Sequence, residues 1–192
     1  MSDMGTAVAE LPVTLKRRLR WRVLLIALVL LIAVGVWRAV WWVQHPTLFP
    51  DARDNESGPA TVSQPLFVGL TFPDDGQAPT TLHLESVGIG VRSDTSAARL
   101  LPVVCEAPAQ AGGGSALGFG SGEDARGLCL HPVAAHNVTM TLGRGHQQYI
   151  VLEIVPTKPG TLTIDKFDLS YSHGLQDGTQ TIGMNLTVNA RR

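Results

Sequence analysis

Residues Val23 to Val43, VLLIALVLLIAVGVWRAVWWV, constrain this chain more than any other stretch. From Val23 to Trp37 there is no charge and no strong hydrogen-bonding side chain. Twenty-one residues of helix span about 31 Å, the thickness of a bilayer's hydrocarbon core. A single segment satisfies its backbone in lipid only as a helix, because one strand cannot close a barrel. The stretch therefore reads as a single N-terminal transmembrane α-helix, with the lipid bilayer as its first partner.

The flanks give the orientation. Lys16, Arg17, Arg18, Arg20 and Arg22 precede the run, while Gln44 to Gly58 carries one Arg against Asp51, Asp54 and Glu56. Positive charge stays inside, so the N-terminus is expected in the cytoplasm and the C-terminal part outside the cell membrane. All four tryptophans, Trp21, Trp37, Trp41 and Trp42, lie at or near the ends of the run, where indole rings prefer the headgroup level. Arg38 is expected to snorkel to the outer interface beside Trp41 and Trp42, the alternative being an acidic mate on another protein. A secretory signal has the same basic and apolar regions, but no small-x-small site follows cleanly, so the segment reads as an anchor.

The remaining boundaries follow from composition. Residues 1–22 read as a basic cytoplasmic tail, disordered up to about Leu15, and 23–43 as the transmembrane helix. Residues 44–63, with Pro46, Pro50, Gly58 and Pro59, resist helix and strand and read as an extracytoplasmic linker. From Gln64 the hydrophobic period becomes that of strands, and 64–192 reads as one domain.

Leu66 to Phe72 is a first apolar run closed by Pro73-Asp74-Asp75-Gly76. Leu82 and Leu84 alternate, then Val87, Ile89 and Val91 continue on the other parity, which predicts a bulge near Ser86. Arg99 to Cys105, Gly127 to His131 and Asn137 to Leu142 read as short strands. Tyr149 to Val155 is the most apolar run and is predicted to be central. After the turn Pro156 to Gly160, the parity of Leu162 and Ile164 switches at Phe167, Leu169 and Tyr171, predicting a second bulge near Asp165-Lys166. His173 to Thr179 reads as a loop, and Thr181 to Val188 as a closing strand that buries Ile182, Met184, Leu186 and Val188. Seven or eight short strands with regular turn signals make an all-β antiparallel β-sandwich of immunoglobulin-like architecture. No tryptophan lies in this part, so the core tryptophan of antibody-type domains is absent.

Residues 50–192 hold fourteen acidic residues against nine Lys and Arg, which disfavours nucleic acid as a partner. The only two cysteines, Cys105 and Cys129, flank a Gly-rich stretch on the exported side and are expected to form a disulfide. No Gly-x-Ser-x-Gly, His-Glu-x-x-His or phosphate-binding loop is present, so no catalytic residue is assigned and the reading is non-enzymatic. His131, His136 and His146, with Met140, are the one set resembling metal ligands, of the kind that suits copper. Their spacings of five and ten put them on mixed strand parities, and Pro132 interrupts them, so no metal or other cofactor is assigned. Asp165, Asp168 and Asp177 lack the regular spacing of a calcium loop. Asn137-Val-Thr139 and Asn185-Leu-Thr187 fit the glycosylation sequon but read as chance matches in a sequence of bacterial composition.

Leu82-x-Leu84-x-Ser86-Val87, the cysteine pair around a Gly-rich stretch, Pro159-Gly160 and Asp168-Leu-Ser-Tyr171-x-His-Gly174 together resemble small actinobacterial membrane-anchored proteins. Those carry an immunoglobulin-like exported domain without assigned activity, and the resemblance covers roughly residues 64 to 190. It implies a fold and a location. The function expected is a non-catalytic binding or structural module for another cell-envelope protein, the alternative being a tethered copper-binding or delivery domain. The uncharged closing strand is expected to offer its free edge, or a neighbouring loop, as the docking surface.

Overall fold

The computed structural model describes residues 13–49, 55–71, 78–106, 119–121, 129–143 and 148–192. Two compact units emerge, residues 1–42 and 43–192. Helix α1 runs Val13–Gln44, beginning eight residues before the tryptophan that opens its apolar part. The helix thus takes in Lys16 to Arg22 of the expected basic tail and, before them, residues 13–15 of the part expected to be disordered. Within it, Trp21–Gln44 is long and apolar enough to cross a membrane, with no side chain buried inside the protein.

The second unit is a β-sandwich of two five-stranded sheets. The first sheet has the order β1-β10-β9-β3-β7, from β1 (Asn55–Thr61), β3 (Thr80–Asp94), β7 (Val138–Leu142), β9 (Gly160–His173) and β10 (Gln176–Arg191). The second has the order β5-β2-β8-β4-β6, from β2 (Leu66–Gly69), β4 (Arg99–Glu106), β5 (Phe119–Ser121), β6 (Leu130–Ala134) and β8 (Gln148–Val155). All pairings are antiparallel except that of β1 with β10. Among the described residues of 45–192 there is no helix.

Alternation decides which face each strand buries. Along β10, Ile182, Met184, Leu186, Val188 and Ala190 are buried and Thr181, Asn185 and Asn189 are exposed, as the sequence predicts. Ile182, Met184, Leu186 and Val188 join Leu82 and Leu84 of β3, Leu162, Ile164, Phe167 and Leu169 of β9, and Val68, Ile150, Leu152 and Ile154 of the opposite sheet in one core. The two predicted bulges are present. Glu85 is the extra residue where β3 shifts register against β9 between Leu84 and Ser86, and Asp165 is the extra residue of β9 opposite Gly90 and Val91. A third shift leaves Arg92 of β3 without a partner on β9.

Four expectations change. Residues 55–61, read as linker, form β1 and pair in parallel with β10 from Asn55 against Asn185 to Thr61 against Arg191. The sandwich therefore begins nine residues before Gln64. This strand carries Pro59, which an edge position tolerates because one side of it needs no N–H. In consequence β10 has β9 on one side and β1 on the other, so the free edge expected of the closing strand does not exist. Its ladder is occupied by seven residues of supposed tether.

The segment His173 to Thr179 is no loop. His173 pairs with Gln176 across a two-residue turn whose first member, Gly174, has φ +59°, a conformation that glycine supplies without strain. Finally, β3, β9 and β10 run 15, 14 and 16 residues, where alternation broken by bulges suggested shorter strands. Of the Gly-rich stretch between the cysteines, residues 107–118 and 122–128 lie outside the described residues, and 119–121 form β5 against β2.

At one end of the sandwich the β3–β4 and β8–β9 connections interlock. Asp94 accepts from the Ser96 N–H at 2.8 Å, the Ser96 hydroxyl at 2.7 Å and the Ala98 N–H at 2.9 Å. The Ser96 carbonyl then accepts from the N–H groups of Thr157 and Lys158. A Cβ at Gly160 would lie 2.6 Å from the backbone of Thr95, so only glycine lets the two turns meet this closely.

Candidate functional site

Three places hold side chains brought together from distant parts of the sequence. The first is the outer face of the second sheet. Because β8 is central, flanked by β2 and β4, its outward residues also find neighbours. Tyr149 and Val151 pack with Phe67 of β2, Cys105 of β4 and Cys129 in a second buried apolar cluster, with Val103 at its margin. The predicted disulfide joins Cys105 and Cys129, whose Cα atoms lie 4.9 Å apart. It ties β4 to the residue that precedes β6, across a separation of 24 residues. Burial pushes the Tyr149 hydroxyl up to about 12. Leu101 is about half exposed on the β4 strand beyond this cluster.

The second place lies in the stretch read as linker. Pro46 and Phe49 are buried, and Phe49 enters the main core beside Tyr171 with ring centroids 5.1 Å apart, edge to face. The backbone there is held by two side chains. The Leu48 N–H donates to the Tyr171 hydroxyl at 2.9 Å, and the Phe49 N–H donates to Gln180 Oε1 at 3.1 Å. Gln180 Nε2 donates back to the Phe49 carbonyl at 2.6 Å, and the Tyr171 hydroxyl donates to Gln180 Oε1 at 2.7 Å. Gln180 thus mimics a strand neighbour, offering one donor and one acceptor to a residue that no strand pairs. Burial raises the Tyr171 pKa, opposed by the N–H of Leu48. The carbonyl of Gln44 lies against Gly178, where a Cβ would collide with it. Pro46-x-x-Phe49 was the only signal of this clasp, a lone aromatic among prolines.

The third is the outer face of the first sheet, a plane of small polar groups. Thr81 bonds Thr141 at 3.1 Å, Ser170 bonds Thr179 at 2.8 Å, and Asn185 donates to Asn55 at 2.8 Å. The Thr181 hydroxyl donates to Asp168 at 2.6 Å and, with Lys166 at 3.1 Å, holds the Asp168 carboxyl below its ordinary range, against a smaller opposing effect of burial. Asp165 pairs with Arg92 at 3.7 Å. The aspartates weighed as calcium ligands are thereby engaged with cations and hydroxyls of their own sheet, Asp177 excepted. Such exposed pairs contribute about 0–1 kcal/mol each.

His131 and His136 are both exposed. Asn137 Oδ1, next to His136, accepts from His83 Nε2 at 2.9 Å, with the Thr139 hydroxyl at 3.4 Å from Nδ1. His146 lies outside the described residues. Among the described residues no three His, Cys, Asp or Glu side chains converge as metal ligands would. Of the helix residues singled out in the sequence, Val23, Trp21, Trp37, Trp41 and Trp42 are exposed, Arg38 is exposed among them, and Val43 is partly covered. Comparison with protein-family models, with curated proteins and with solved structures gives no match for this chain.

Proposed function

We propose that this is a single-pass membrane protein whose Trp21–Gln44 helix anchors an extracytoplasmic sandwich, N-terminus in the cytoplasm, and that the sandwich binds or braces another cell-envelope protein without catalysing a reaction. The observation that carries the reading is the contrast between the helix and the domain. Every described apolar side chain from Trp21 to Trp42 is exposed, an arrangement stable only when something apolar surrounds it. The sandwich beside it in sequence has a complete core of its own. The basic residues before Val23 and the acidic ones after Gln44 support the orientation. The disulfide supports an oxidising compartment. The resemblance to small actinobacterial anchored proteins with immunoglobulin-like domains belongs to this proposal.

The test is protease added outside intact cells, followed by crosslinking in their membranes. Digestion should remove residues beyond Gln44 and leave a membrane-bound fragment, and crosslinking should capture a defined envelope protein with the sandwich. Full protection of residues 55–192 overturns the orientation. Crosslinking that yields only lipid and random neighbours overturns the binding role.

A further inference from the structure

Strand β3 is only partly covered. On one side β9 accompanies it from His83 to Asp94. On the other, β7 pairs with Thr80 to Leu84 alone, and the last bond on that side is donated by the Asn137 N–H to the Glu85 carbonyl. From Ser86 to Val91, among the described residues, the outer side of the ladder has no strand neighbour. Edges of this kind are normally blunted by charge, proline or bulges. Here the bulged, charged residues Glu85 and Arg92 stand at the two ends, and the residues between them have no such defence.

Those residues are Val87-Gly88-Ile89-Gly90-Val91, a palindrome about Ile89. Val87 and Ile89 are half-buried against the main core, and Val91 is 43% exposed. An antiparallel pair keeps facing residues on the same side of the sheet. Two copies of this strand related by a two-fold axis through Ile89 therefore match Val87 with Val91, Gly88 with Gly90, and Ile89 with itself. All three apolar residues then line one side, continuing the core across the junction, and the glycines leave the other side flat. The register is confined to these five residues, because the ladder position opposite Glu85 is already taken by Asn137. A shift of one residue would set valine against glycine and point apolar side chains to both faces. An unrelated strand has no reason to match this pattern.

We propose that the β3 edge docks a second copy of this chain, joining two first sheets into one continuous sheet across Ile89. A ladder this short buries much less than the area of a standard stable interface, so the pairing is weak in dilute solution and strong where the chains are concentrated on one surface. It does not depend on which way the helix is oriented. The Gly35-x-x-x-Ala39 pattern offers a different route to a dimer, helix against helix, and the test separates the two.

The full chain is reconstituted into vesicles and cysteine variants are oxidised mildly. Ile89→Cys should give a disulfide-linked dimer as the main species, because the residue faces itself. Val91→Cys alone should give at least tenfold less, and Val91→Cys mixed with Val87→Cys should restore the crosslink, using two positions that are only partly covered. Adding Val91→Lys to Ile89→Cys should reduce the Ile89 crosslink at least tenfold without a change in far-ultraviolet dichroism. Equal crosslinking at 89 and 91 alone, or indifference to Val91→Lys, overturns the proposal, a helix-driven dimer included. So does a chain that stays monomeric in the vesicles.

Discussion

In the first sheet, β10 buries Ile182, Met184, Leu186 and Val188 and turns every second residue to water. In the second, β8 buries Tyr149, Ile150, Val151 and Leu152 without a break. Both strands have neighbours on both sides, so backbone pairing does not separate them. What separates them is the second apolar cluster, which gives the outer face of one sheet a cover that the other lacks. The one-sided sheet spends its outer face on threonine, asparagine and paired charges, worth little to stability. The two-sided sheet stores stabilisation on both faces and locks its outer one with a disulfide. Mutational sensitivity should therefore fall steeply between the sheets, and not between strand centre and strand end.

The largest effect is expected for Leu152→Ala, on the inner face of β8, at about 4 kcal/mol from the lost methylenes and the cavity. Its neighbour Val151→Ala, on the outer face, should cost about 2 kcal/mol if the second cluster is a true core. Urea unfolding of both variants checks this, and a Val151→Ala cost below 0.5 kcal/mol would equate the two sheets. Next comes the disulfide. Removing it by replacing Cys105 and Cys129 together with serine should cost about 3.5 kcal/mol in the chain-entropy model, read as a lower urea midpoint.

The third effect depends on pH. The folded domain keeps Tyr149 protonated up to about 12, whereas an unfolded tyrosine ionises near 10. Stability from this group is complete below pH 10 and is lost as pH rises through 12, by about 2–3 kcal/mol in all. Tyr171 is shifted the same way, so Tyr149→Phe should remove most but not all of the alkaline loss. Equal slopes in wild type and Tyr149→Phe would refute the assignment. Fourth, Gln180→Ala leaves the N–H and carbonyl of Phe49 without their partners and should cost about 1–3 kcal/mol, with faster proteolysis near Phe49. The smallest effect is expected on the outer face of the first sheet. Asn185→Ala should change stability by less than about 0.5 kcal/mol. Thr181→Val should raise the Asp168 pKa toward its ordinary value, measurable by carboxyl nuclear magnetic resonance.

The same contrast explains what could be read from the residues beforehand. Tyr149 to Val155 announced a central strand because an apolar run broken only by Glu153 has few other uses at that length. The alternation of Ile182 to Val188, and the parity switches at Ser86 and Asp165, announced faces and bulges because the period of a strand is two. The cysteine pairing followed from the chain having only two cysteines, both beyond the apolar helix. The strand Asn55–Thr61 was illegible for the opposite reason. Asn-Glu-Ser-Gly-Pro-Ala-Thr has no strand propensity, and its place on β10 is held by backbone hydrogen bonds that leave no mark on side-chain pattern. The clasp was hidden likewise, because one phenylalanine carries no period and Gln180 looks like any exposed polar residue until its amide is seen on Phe49. Nor could the sequence say which strand lacks a neighbour, since that depends on where β7 stops.

The clasp also decides the order in which this domain feels a pull. Tension applied along the chain from the helix side reaches Pro46 and Phe49 before it reaches any strand. It must draw an aromatic ring out of the core and break the paired bonds to Gln180 before β1 is loaded. The ladder of β1 on β10 is thus shielded behind a fastening made of side chains, and the sandwich can lose that fastening while its sheets stay whole. Mechanically, Gln180 is a fuse: the first part to yield, and one that can re-form without refolding anything else.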